Sequence, residues 1–374
     1  MLDRIILFPY TLTLALRDKL YRDGTLKSSV AGVPTISVGN VTVGGTGKTP
    51  HTEMILRLLL DSDKWGYSNI AVLSRGYKRK TKGFRKVLWD GTAAQFGDEP
   101  LQMAKKFPHV TVAVDKDRVE GCRFLEHPEE MAASKKCKET AEILPTDIII
   151  LDDAFQYRKL RPTVSIVLVD YSRPVHKDKL LPFGGLRDLP SRIADADIVI
   201  VTKCPTYLDE WEKGKWAGYF GMENYSTATC RARSARGKEQ TLLFSTIAYS
   251  EMMPVYEEAD QRFTYAPRAI LFSGIAKDTP LRDYISDNYK IVRRFCFPDH
   301  HRYGKGDVAS IVGAIKANPT AVVITTEKDA QRIVDVPSVP KEFKERLFKI
   351  PIEVKFLSDL EKEVFDKTLL GFLG

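Results

Sequence analysis

A glycine-rich turn that ends in a lysine and a threonine is the segment of the sequence best suited to chemistry. Its residues, in order, are Gly44, Gly45, Thr46, Gly47, Lys48 and Thr49. An apolar run at Pro34–Val38 precedes it, and a helical apolar pattern that includes Ile55 and Leu59 follows. Glycines let backbone N–H groups wrap a phosphate, a lysine reaches the β and γ oxygens, and a threonine hydroxyl ligates Mg²⁺. The sequence therefore predicts a P-loop that binds a nucleotide, although Thr42 stands where this motif usually has its first glycine.

Two adjacent carboxylates are candidates for a second metal ligand. Asp152 and Asp153 directly follow the apolar run Ile148–Leu151. A buried parallel strand delivers the residues at its end to the carboxyl edge of the sheet, where ligands bind. Successive residues of a strand point to opposite faces, so a regular strand directs only one of these acids at the metal. The pattern leaves open which one it is.

A second nucleotide motif begins later in the chain but is not completed. Thr202-Lys203 starts like the N/T-K-x-D motif that recognises guanine, but Pro205 stands where the carboxylate belongs. The sequence therefore predicts that the nucleotide is not a guanine nucleotide. The remaining classes are a kinase or ligase of a small molecule and a nucleotide-driven switch.

Short β-branched runs alternate with helical patterns along the chain. The predicted strands are Pro34–Val38, Ile70–Leu73, Val110–Val114, Asp147–Leu151, Val164–Val169, Ile198–Val201, Ala269–Phe272 and Val322–Thr325. Strands separated by helices predict parallel sheets covered by helices. Two further β-like stretches, Tyr225–Arg231 and Thr241–Ile247, are separated only by a polar segment. They predict an antiparallel hairpin excursion near residues 225–249.

The composition is that of a folded protein with an anionic partner. A length of 374 residues predicts two domains, and the net charge of +8 favours a phosphorylated molecule, an anionic membrane surface or a nucleic acid. The densest basic cluster, Arg75 with Lys78–Lys80, has few aromatic neighbours, so we expect no nucleic acid partner. The five cysteines lie far apart without a C-x-x-C pair, which argues against both a zinc site and a disulfide framework.

The N-terminal segment is apolar but short. Ile5–Leu16 contains no charged residue, yet a helix that spans a bilayer needs about 20 residues. The pattern predicts a helix from Pro9 to Gly24 with Leu12 and Leu16 on one stripe. This stripe suits either a membrane surface or the protein's own core, and the pattern leaves both open.

Six short motifs occur in a familiar order. They are Gly39–Pro50, Ser74–Tyr77, Gly97–Pro100, Asp152–Gln156, Asp299–His301 and Thr326–Ala330. Together they resemble the tetraacyldisaccharide 4′-kinases, the lipid A 4′-kinases of bacteria. The resemblance implies that ATP, with Mg²⁺, phosphorylates the 4′-hydroxyl of a lipid A disaccharide 1-phosphate. It also implies that this occurs at the cytoplasmic face of the inner membrane.

The resemblance further implies roles for single side chains. Asp98 alone is typical of a helix N-terminus. In the family it becomes the base that accepts or orients the sugar hydroxyl proton, with His300 as its partner and Lys48 as the third catalytic residue. Substrate contacts are assigned to Arg75, Tyr77 and Glu99. Gln156 is assigned to the nucleotide or Mg²⁺.

The expected organisation follows from the motifs and the resemblance. We expect two α/β/α sandwich domains, the first a P-loop domain over residues 1–165 with an N-terminal membrane-associating helix, rejoined by residues 358–374. Residues 166–357 form the second domain, and a boundary near residue 250 is the alternative. We expect a monomer that attaches peripherally to the membrane. A membrane-attached nucleotide switch and a P-loop kinase of a soluble sugar are the alternative functions.

Overall fold

The chain forms two compact units. The computed structural model describes residues 2–134, 137, 142–275, 278–299 and 301–374, and side chains from residue 6 onward. The first unit extends to residue 247 and includes 354–374, and the second covers 248–353. This division differs from the boundary predicted at residue 165 and lies near the alternative at 250. The reason is that strands on either side of residue 165 pair within one sheet.

The elements are numbered along the chain. The strands are β1 (Thr35–Gly39), β2 (Ile70–Ser74), β3 (Arg85–Lys86), β4 (Thr111–Val114), β5 (Ile148–Asp152), β6 (Val164–Asp170), β7 (Ile198–Thr202), β8 (Glu223–Ser226), β9 (Arg231–Arg233), β10 (Glu239–Tyr249), β11 (Met253–Pro254), β12 (Arg268–Ser273), β13 (Lys290–Cys296), β14 (Val322–Thr326), β15 (Leu347–Ile350) and β16 (Ile352–Phe356). The α-helices are α1 (Leu2–Arg22), α2 (Lys48–Leu60), α3 (Ala93–Phe96), α4 (Asp98–Lys106), α5 (Arg118–Glu126), α6 (Glu129–Ala133), α7 (Glu210–Tyr219), α8 (Thr279–Asn288), α9 (Lys305–Ala317), α10 (Glu327–Ile333), α11 (Lys341–Lys344) and α12 (Asp359–Leu373).

The sheet of the first unit is parallel at its centre and antiparallel at both ends. Its strand order is β3-β4-β2-β5-β1-β6-β7-β10-β9-β8, and β16 also pairs with β10. Neighbours from β4 to β10 run parallel. At the ends, β3 pairs antiparallel with β4, and β8, β9 and β10 form an antiparallel excursion. The strands predicted from β-branched runs are confirmed, as is the antiparallel character of the excursion. The predicted stretch Tyr225–Arg231 is not a single strand, however, because residues 227–230 form the turn between β8 and β9.

Both faces of this sheet are covered, because the central strands are mostly apolar and are buried along almost their whole length. In β5, Ile148 and Ile150 face a core shared with α2, α4 and α12, whereas Ile149 and Leu151 face the opposite core. This alternation is the period of two that a strand imposes, and runs without polar residues are typical of parallel strands buried on both sides. The C-terminal helix α12 therefore belongs to the first unit, with Ser358 as its N-cap.

The second unit repeats the layered arrangement on a smaller scale. Its sheet has the order β11-β15-β14-β12-β13 and is parallel except for the β11–β15 pair. Ile270 and Phe272 of β12 pack in one core with α9 and α11, and Leu271 packs in another with α8. The mixed α/β fold class is thereby confirmed for both units.

The N-terminal helix α1 begins earlier than predicted. Pro9 lies inside the helix instead of starting it, so the main chain forgoes one N–H donor at that position. Leu7 and Leu14 pack against the core of the first unit, and buried Asp18 forms an ion pair with Arg158 at 2.8 Å. The structure thus joins one side of α1 to the body of the unit.

Candidate functional site

The glycine-rich loop connects β1 to α2 at the carboxyl edge of the larger sheet. Gly44 and Gly47 have φ angles of 95° and 87°, values that glycine adopts without a Cβ clash. Gly47 is the N-cap of α2, so the first free N–H groups of this helix belong to the loop. Inside the loop, Asn40 Nδ2 donates to Thr46 Oγ1 at 2.7 Å. A helix N-terminus built this way favours an anion.

Lys48 and Thr49 open α2 directly behind the loop. Lys48 Nζ lies 3.7 Å from Asp153 Oδ1, and Thr49 is buried. The structure therefore places the predicted lysine and one of the two predicted acids together. Their adjacency follows from the pairing of β1 with β5, whose carboxyl ends are neighbours in the sheet.

Asp152 is the last residue of β5 and is buried. Its Oδ2 accepts a hydrogen bond from Ser74 Oγ at 3.0 Å, but its Oδ1 is buried and has no hydrogen-bond partner in the part of the chain that the structure describes. Burial, together with the negative charge of Asp153, raises the pKa of Asp152 to about 6, and Lys48 and Arg118 only partly oppose this. A buried carboxylate oxygen without a partner is costly unless something else binds it.

Asp153 lies just past the strand and has a different environment. Its φ angle is 52°, and its carboxylate accepts two hydrogen bonds from Arg187, at 2.7 and 3.0 Å. Burial alone would raise the pKa of Asp153, but the hydrogen bond from Arg187 and the nearby charge of Lys48 outweigh it, so its pKa lies below the ordinary value. Asp153 is therefore a firmly ionised carboxylate.

These acids fit a magnesium ion shared with a phosphorylated ligand. Within the described residues, no group of three or more His, Cys, Asp or Glu side chains could hold a metal by itself. Mg²⁺ commonly takes one or two carboxylates and completes its shell with water and substrate phosphates. The unpartnered oxygen of Asp152, next to the helix that Thr49 opens, matches that requirement.

A second loop brings the predicted substrate residues beside Asp98. Gly76, between exposed Arg75 and exposed Tyr77, packs on Gly97: a Cβ built on Gly97 would lie 3.3 Å from Gly76 Cα and 3.2 Å from the Tyr77 carbonyl oxygen. Gly97, with a φ angle of 95°, is the N-cap of α4, which Asp98 opens. The absence of side chains at both glycines is what lets the two loops meet.

Glu99 links this region electrostatically to Asp152. Its negative charge is one of the causes that raise the pKa of Asp152, after burial and the charge of Asp153. Asp98 and Glu99 are both half-buried and both take part in interactions with neighbouring groups. The first unit thus brings the predicted residues on four of its loops to one edge of its sheet.

Gln156 and the residues around it complete the edge. The side-chain amide of Gln156 donates to the Asn40 carbonyl oxygen, so the segment after β5 is tied to the segment after β1. Tyr157 donates its hydroxyl proton to Asp117 at 2.8 Å. Gln156 therefore lies beside the segment that leads into the glycine-rich loop, and its contact with the nucleotide or Mg²⁺ stays a prediction.

His300 lies outside the described residues, and its role stays a prediction. Its neighbour His301 is described in the second unit. His301 Nε2 lies 3.1 Å from Asp307 Oδ2, and the ring stacks on Phe297 with 4.6 Å between centroids. His301 therefore has a local structural function.

Sequence reasoning missed several residues of this edge. Arg187, which holds Asp153 and also donates to the Asn40 side chain, carries no motif that marks it. Arg118 is buried and donates to the Asp152 carbonyl oxygen at 2.8 Å. Thr202 and Lys203 could have been found from the sequence, because they begin like the guanine-recognition motif. The sequence pattern indicated only that guanine is excluded, not that these residues contact the glycine-rich loop.

The fold and the residues at the carboxyl edge of the larger sheet first define a broad class of protein. A parallel α/β sheet whose first strand leads through a glycine-rich loop into a helix N-terminus, with acids at the next strand end, is typical of proteins that bind phosphorylated ligands at the carboxyl edge. The sequence model of the family described as tetraacyldisaccharide-1-P 4′-kinase, LpxK, matches residues 4–372. The chain belongs to this family.

Individual relatives agree with the assignment. A tetraacyldisaccharide 4′-kinase of Parabacteroides distasonis is 38% identical over 95% of this chain and 90% of its own length. One of Phocaeicola vulgatus is 36% identical over 96% and 91%, respectively. A crystal structure of LpxK from Aquifex aeolicus in complex with ATP is 27% identical, with a TM-score of 0.68 over 100% of both chains. Among the helices the structure describes, none is long and apolar enough to cross a membrane.

Proposed function

We propose that the chain is a tetraacyldisaccharide 4′-kinase that uses the glycine-rich loop as its ATP site. The observation that carries the proposal is the pairing of the loop and Lys48 with the two acids, of which one is held by Arg187 and one keeps a buried oxygen without a partner. The family description and the names of the relatives supply the acceptor, the 4′ position of a tetraacyldisaccharide 1-phosphate, which we take to be the lipid A disaccharide 1-phosphate of the resemblance.

ATP binding rests on the backbone of the loop. The N–H groups at the start of α2 carry partial positive charge, and Lys48 adds a full charge near the terminal phosphate. Mg²⁺, when bound, would be held by Thr49 and Asp152 and would neutralise charge on the phosphate oxygens. Asp153, fixed by Arg187, keeps Lys48 in place through their 3.7 Å contact.

The transfer step needs a group that receives a proton. We assign this to Asp98, at the N-terminus of α4 beside the Arg75–Tyr77 loop. As the sugar oxygen forms its bond to the γ-phosphorus, the bond to the β–γ bridging oxygen breaks and ADP leaves. The hydroxyl proton passes to the Asp98 carboxylate. Exposed Arg75 and Tyr77 and half-buried Glu99 are assigned to the disaccharide, and Gln156 to the nucleotide.

Membrane attachment is assigned to α1. Its exposed residues form an apolar face, defined here by Ile6, Phe8, Tyr10, Leu12 and Leu16. The opposite side, with Leu7 and Leu14, packs on the core. An amphipathic helix of this kind lies in the plane of a membrane surface. We propose a monomer attached in this way to the cytoplasmic face of the inner membrane.

The test is transfer of label from ATP to lipid. Purified full-length protein is mixed with γ-labelled ATP, Mg²⁺ and a detergent-dispersed lipid A disaccharide 1-phosphate. Label in the lipid is the expected result. Label only in free phosphate would instead indicate a nucleotide switch. Label in a soluble disaccharide that replaces the lipid in a parallel reaction, without label in the lipid, would indicate a soluble-sugar kinase. Either outcome would refute the proposed acceptor.

A further inference from the structure

Four carbonyl oxygens of the glycine-rich loop are held by side chains from outside it. Arg173 Nη1 donates to the Val43 oxygen at 3.1 Å, and Lys203 Nζ donates to the Gly45 oxygen. Thr202 Oγ1 donates to the Thr46 oxygen at 2.9 Å, and His51 Nδ1 lies 2.7 Å from the Gly47 oxygen. We call the four side chains Arg173, Thr202, Lys203 and His51 the carbonyl clamp.

The geometry of the peptide unit gives this clamp a consequence for the amides. In a planar trans peptide, the carbonyl of one residue and the N–H of the next point in opposite directions. Holding the oxygens of Val43, Thr46 and Gly47 outward therefore turns the N–H groups of the residues that follow them, Gly44, Gly47 and Lys48, to the other side of the loop. The contact of Lys203 with the Gly45 oxygen fixes the next peptide unit, whose Thr46 N–H donates to the Gly44 oxygen at 3.0 Å and closes a tight turn inside the loop. Amides presented together in this way form a concave anion site. The carbonyl clamp thus orients the backbone N–H groups that would donate hydrogen bonds to a phosphate.

His51 acts from beneath the loop. Its Nδ1 faces the Gly47 carbonyl oxygen at 2.7 Å, which can only accept, so Nδ1 carries a proton and donates it, and Nε2 lies 3.0 Å from the Ser245 hydroxyl, which can donate or accept. The ring is fully buried in the first turn of α2. The Gly47 oxygen therefore has a donor that burial and a second contact hold in place.

Lys203 acts from the neighbouring strand end. It follows β7 with a φ angle of 56°, a left-handed conformation that is uncommon for lysine. Its ammonium also pairs with Asp170 Oδ2 at 2.9 Å, which holds the side chain between the end of β6 and the loop. The Thr-Lys pair that resembles half of a guanine motif therefore contacts the phosphate loop and needs no base-reading carboxylate.

We propose that Lys203 and His51 are positioning residues for ATP binding, acting through the carbonyl oxygens of Gly45 and Gly47. The proposal rests on the proposed function, because it requires the loop to be the ATP site. A residue that serves only fold stability would change the melting temperature of the nucleotide-free protein. A positioning residue changes the affinity of the folded protein for the triphosphate, which a loss of stability alone leaves unchanged.

The test compares two lysines that are equally exposed and that each form an ion pair with an aspartate. Lys203 and Lys238 have side chains 40% exposed, and each pairs with a buried or nearly buried aspartate, Asp170 and Asp197. Binding of a β,γ-methylene ATP analogue with Mg²⁺ to the full chain is measured by calorimetry. We expect Lys203→Met to weaken binding about 10-fold, the loss typical of one charged hydrogen bond, and Lys203→Arg to recover most of it. Lys238→Met is expected to bind like the wild type.

The buried histidine supplies an independent variant. His51→Asn keeps a donor for the Gly47 oxygen, and His51→Leu removes it, so binding should weaken more in His51→Leu. If His51→Leu does not fold, the Lys203 variants still decide the matter. Equal affinity of wild type, Lys203→Met and Lys238→Met would overturn the clamp, provided that Lys48→Ala abolishes binding. If Lys48→Ala binds like the wild type, or the wild type does not bind, the ATP site itself is refuted.

Discussion

Arg187 holds the carboxylate of Asp153 by two hydrogen bonds, 2.7 and 3.0 Å long. Paired bonds between a guanidinium and a carboxylate fix both distance and orientation. Asp153 is therefore committed to Arg187 and Lys48, whereas neighbouring Asp152 keeps one buried oxygen without a partner. We infer that the two adjacent acids have different roles. Asp152 binds the metal, whereas Asp153 positions Arg187 and Lys48.

Replacing Asp152 by asparagine should abolish activity and stabilise the protein. The raised pKa of about 6 means that the folded state disfavours the ionised carboxylate. Stability from this group is present below the ordinary pKa of 3.8 and is lost as pH rises through about 6. An asparagine side chain does not titrate, so the Asp152→Asn variant should melt above the wild type at pH 7, and the gap should close toward pH 4. Calorimetry without nucleotide, from pH 4 to 7, measures the difference in melting temperature between the two proteins.

Asp153→Asn is the matched control for that variant. It weakens the paired hydrogen bonds from Arg187 and leaves Lys48 without its ionic partner. Its melting temperature at pH 7 should therefore fall below that of the wild type. A rise in both variants, or a fall in both, would contradict the division of roles.

Replacing Lys48 by alanine should remove the charge at the terminal phosphate. We expect turnover to fall at least ~100-fold, the scale for losing a charge that stabilises the transition state. Lys116→Ala, an exposed lysine that follows β4 at the same sheet edge, is the control and should remain active. Initial rates of lipid phosphorylation give the comparison, and a Lys48→Ala rate near that of the control would exclude the assigned role.

Replacing Asp98 by asparagine should keep the shape of the α4 N-terminus and remove the proton acceptor. We expect turnover to fall at least ~100-fold with little change in the KM for ATP, because Asp98 is assigned to the sugar hydroxyl. Asp90→Asn, an exposed acid earlier in the same segment, controls for loss of one charge. Near-normal turnover in Asp98→Asn would remove it from the mechanism.

Charges placed on the apolar face of α1 should release the protein from membranes. Leu12 and Leu16 are 56% and 55% exposed, so Leu12→Asp and Leu16→Asp place carboxylates on that face without disturbing the core. Leu144→Asp, at a leucine 61% exposed elsewhere in the first unit, is the control. Co-sedimentation with vesicles that contain anionic lipid should decrease for the α1 variants only. Equal binding by all the variants would place the contact elsewhere.

The sequence predicted what depends on local pattern. The β5 strand was visible because Ile148–Leu151 is apolar without interruption, and the glycine-rich loop because its spacing requires a turn and a helix start. The role of Arg187 could not be predicted from the sequence, because Arg187 lies 34 residues after Asp153 and contacts it only when the chain folds back. The boundary predicted at residue 165 does not match the compact units for a similar reason. The parallel pairing of β6 with β1 is a long-range contact that no local sequence pattern indicates.

Replacing His51 by asparagine should change how stability depends on pH. Burial is the largest cause that lowers the pKa of His51 to about 4, and the charge of Lys203 adds to it, although the Gly47 carbonyl opposes both. The unfolded chain binds this proton near pH 6.5 and the folded chain only near 4, so wild-type stability falls as pH decreases through that interval. The substituted asparagine does not titrate, and any advantage of the wild type over His51→Asn should shrink from pH 6.5 to 4. His51→Asn is compared with His109→Asn, the same change at an exposed histidine, by thermal melting. A difference between wild type and His51→Asn that stays constant over this range would show that His51 is not held neutral beneath the loop.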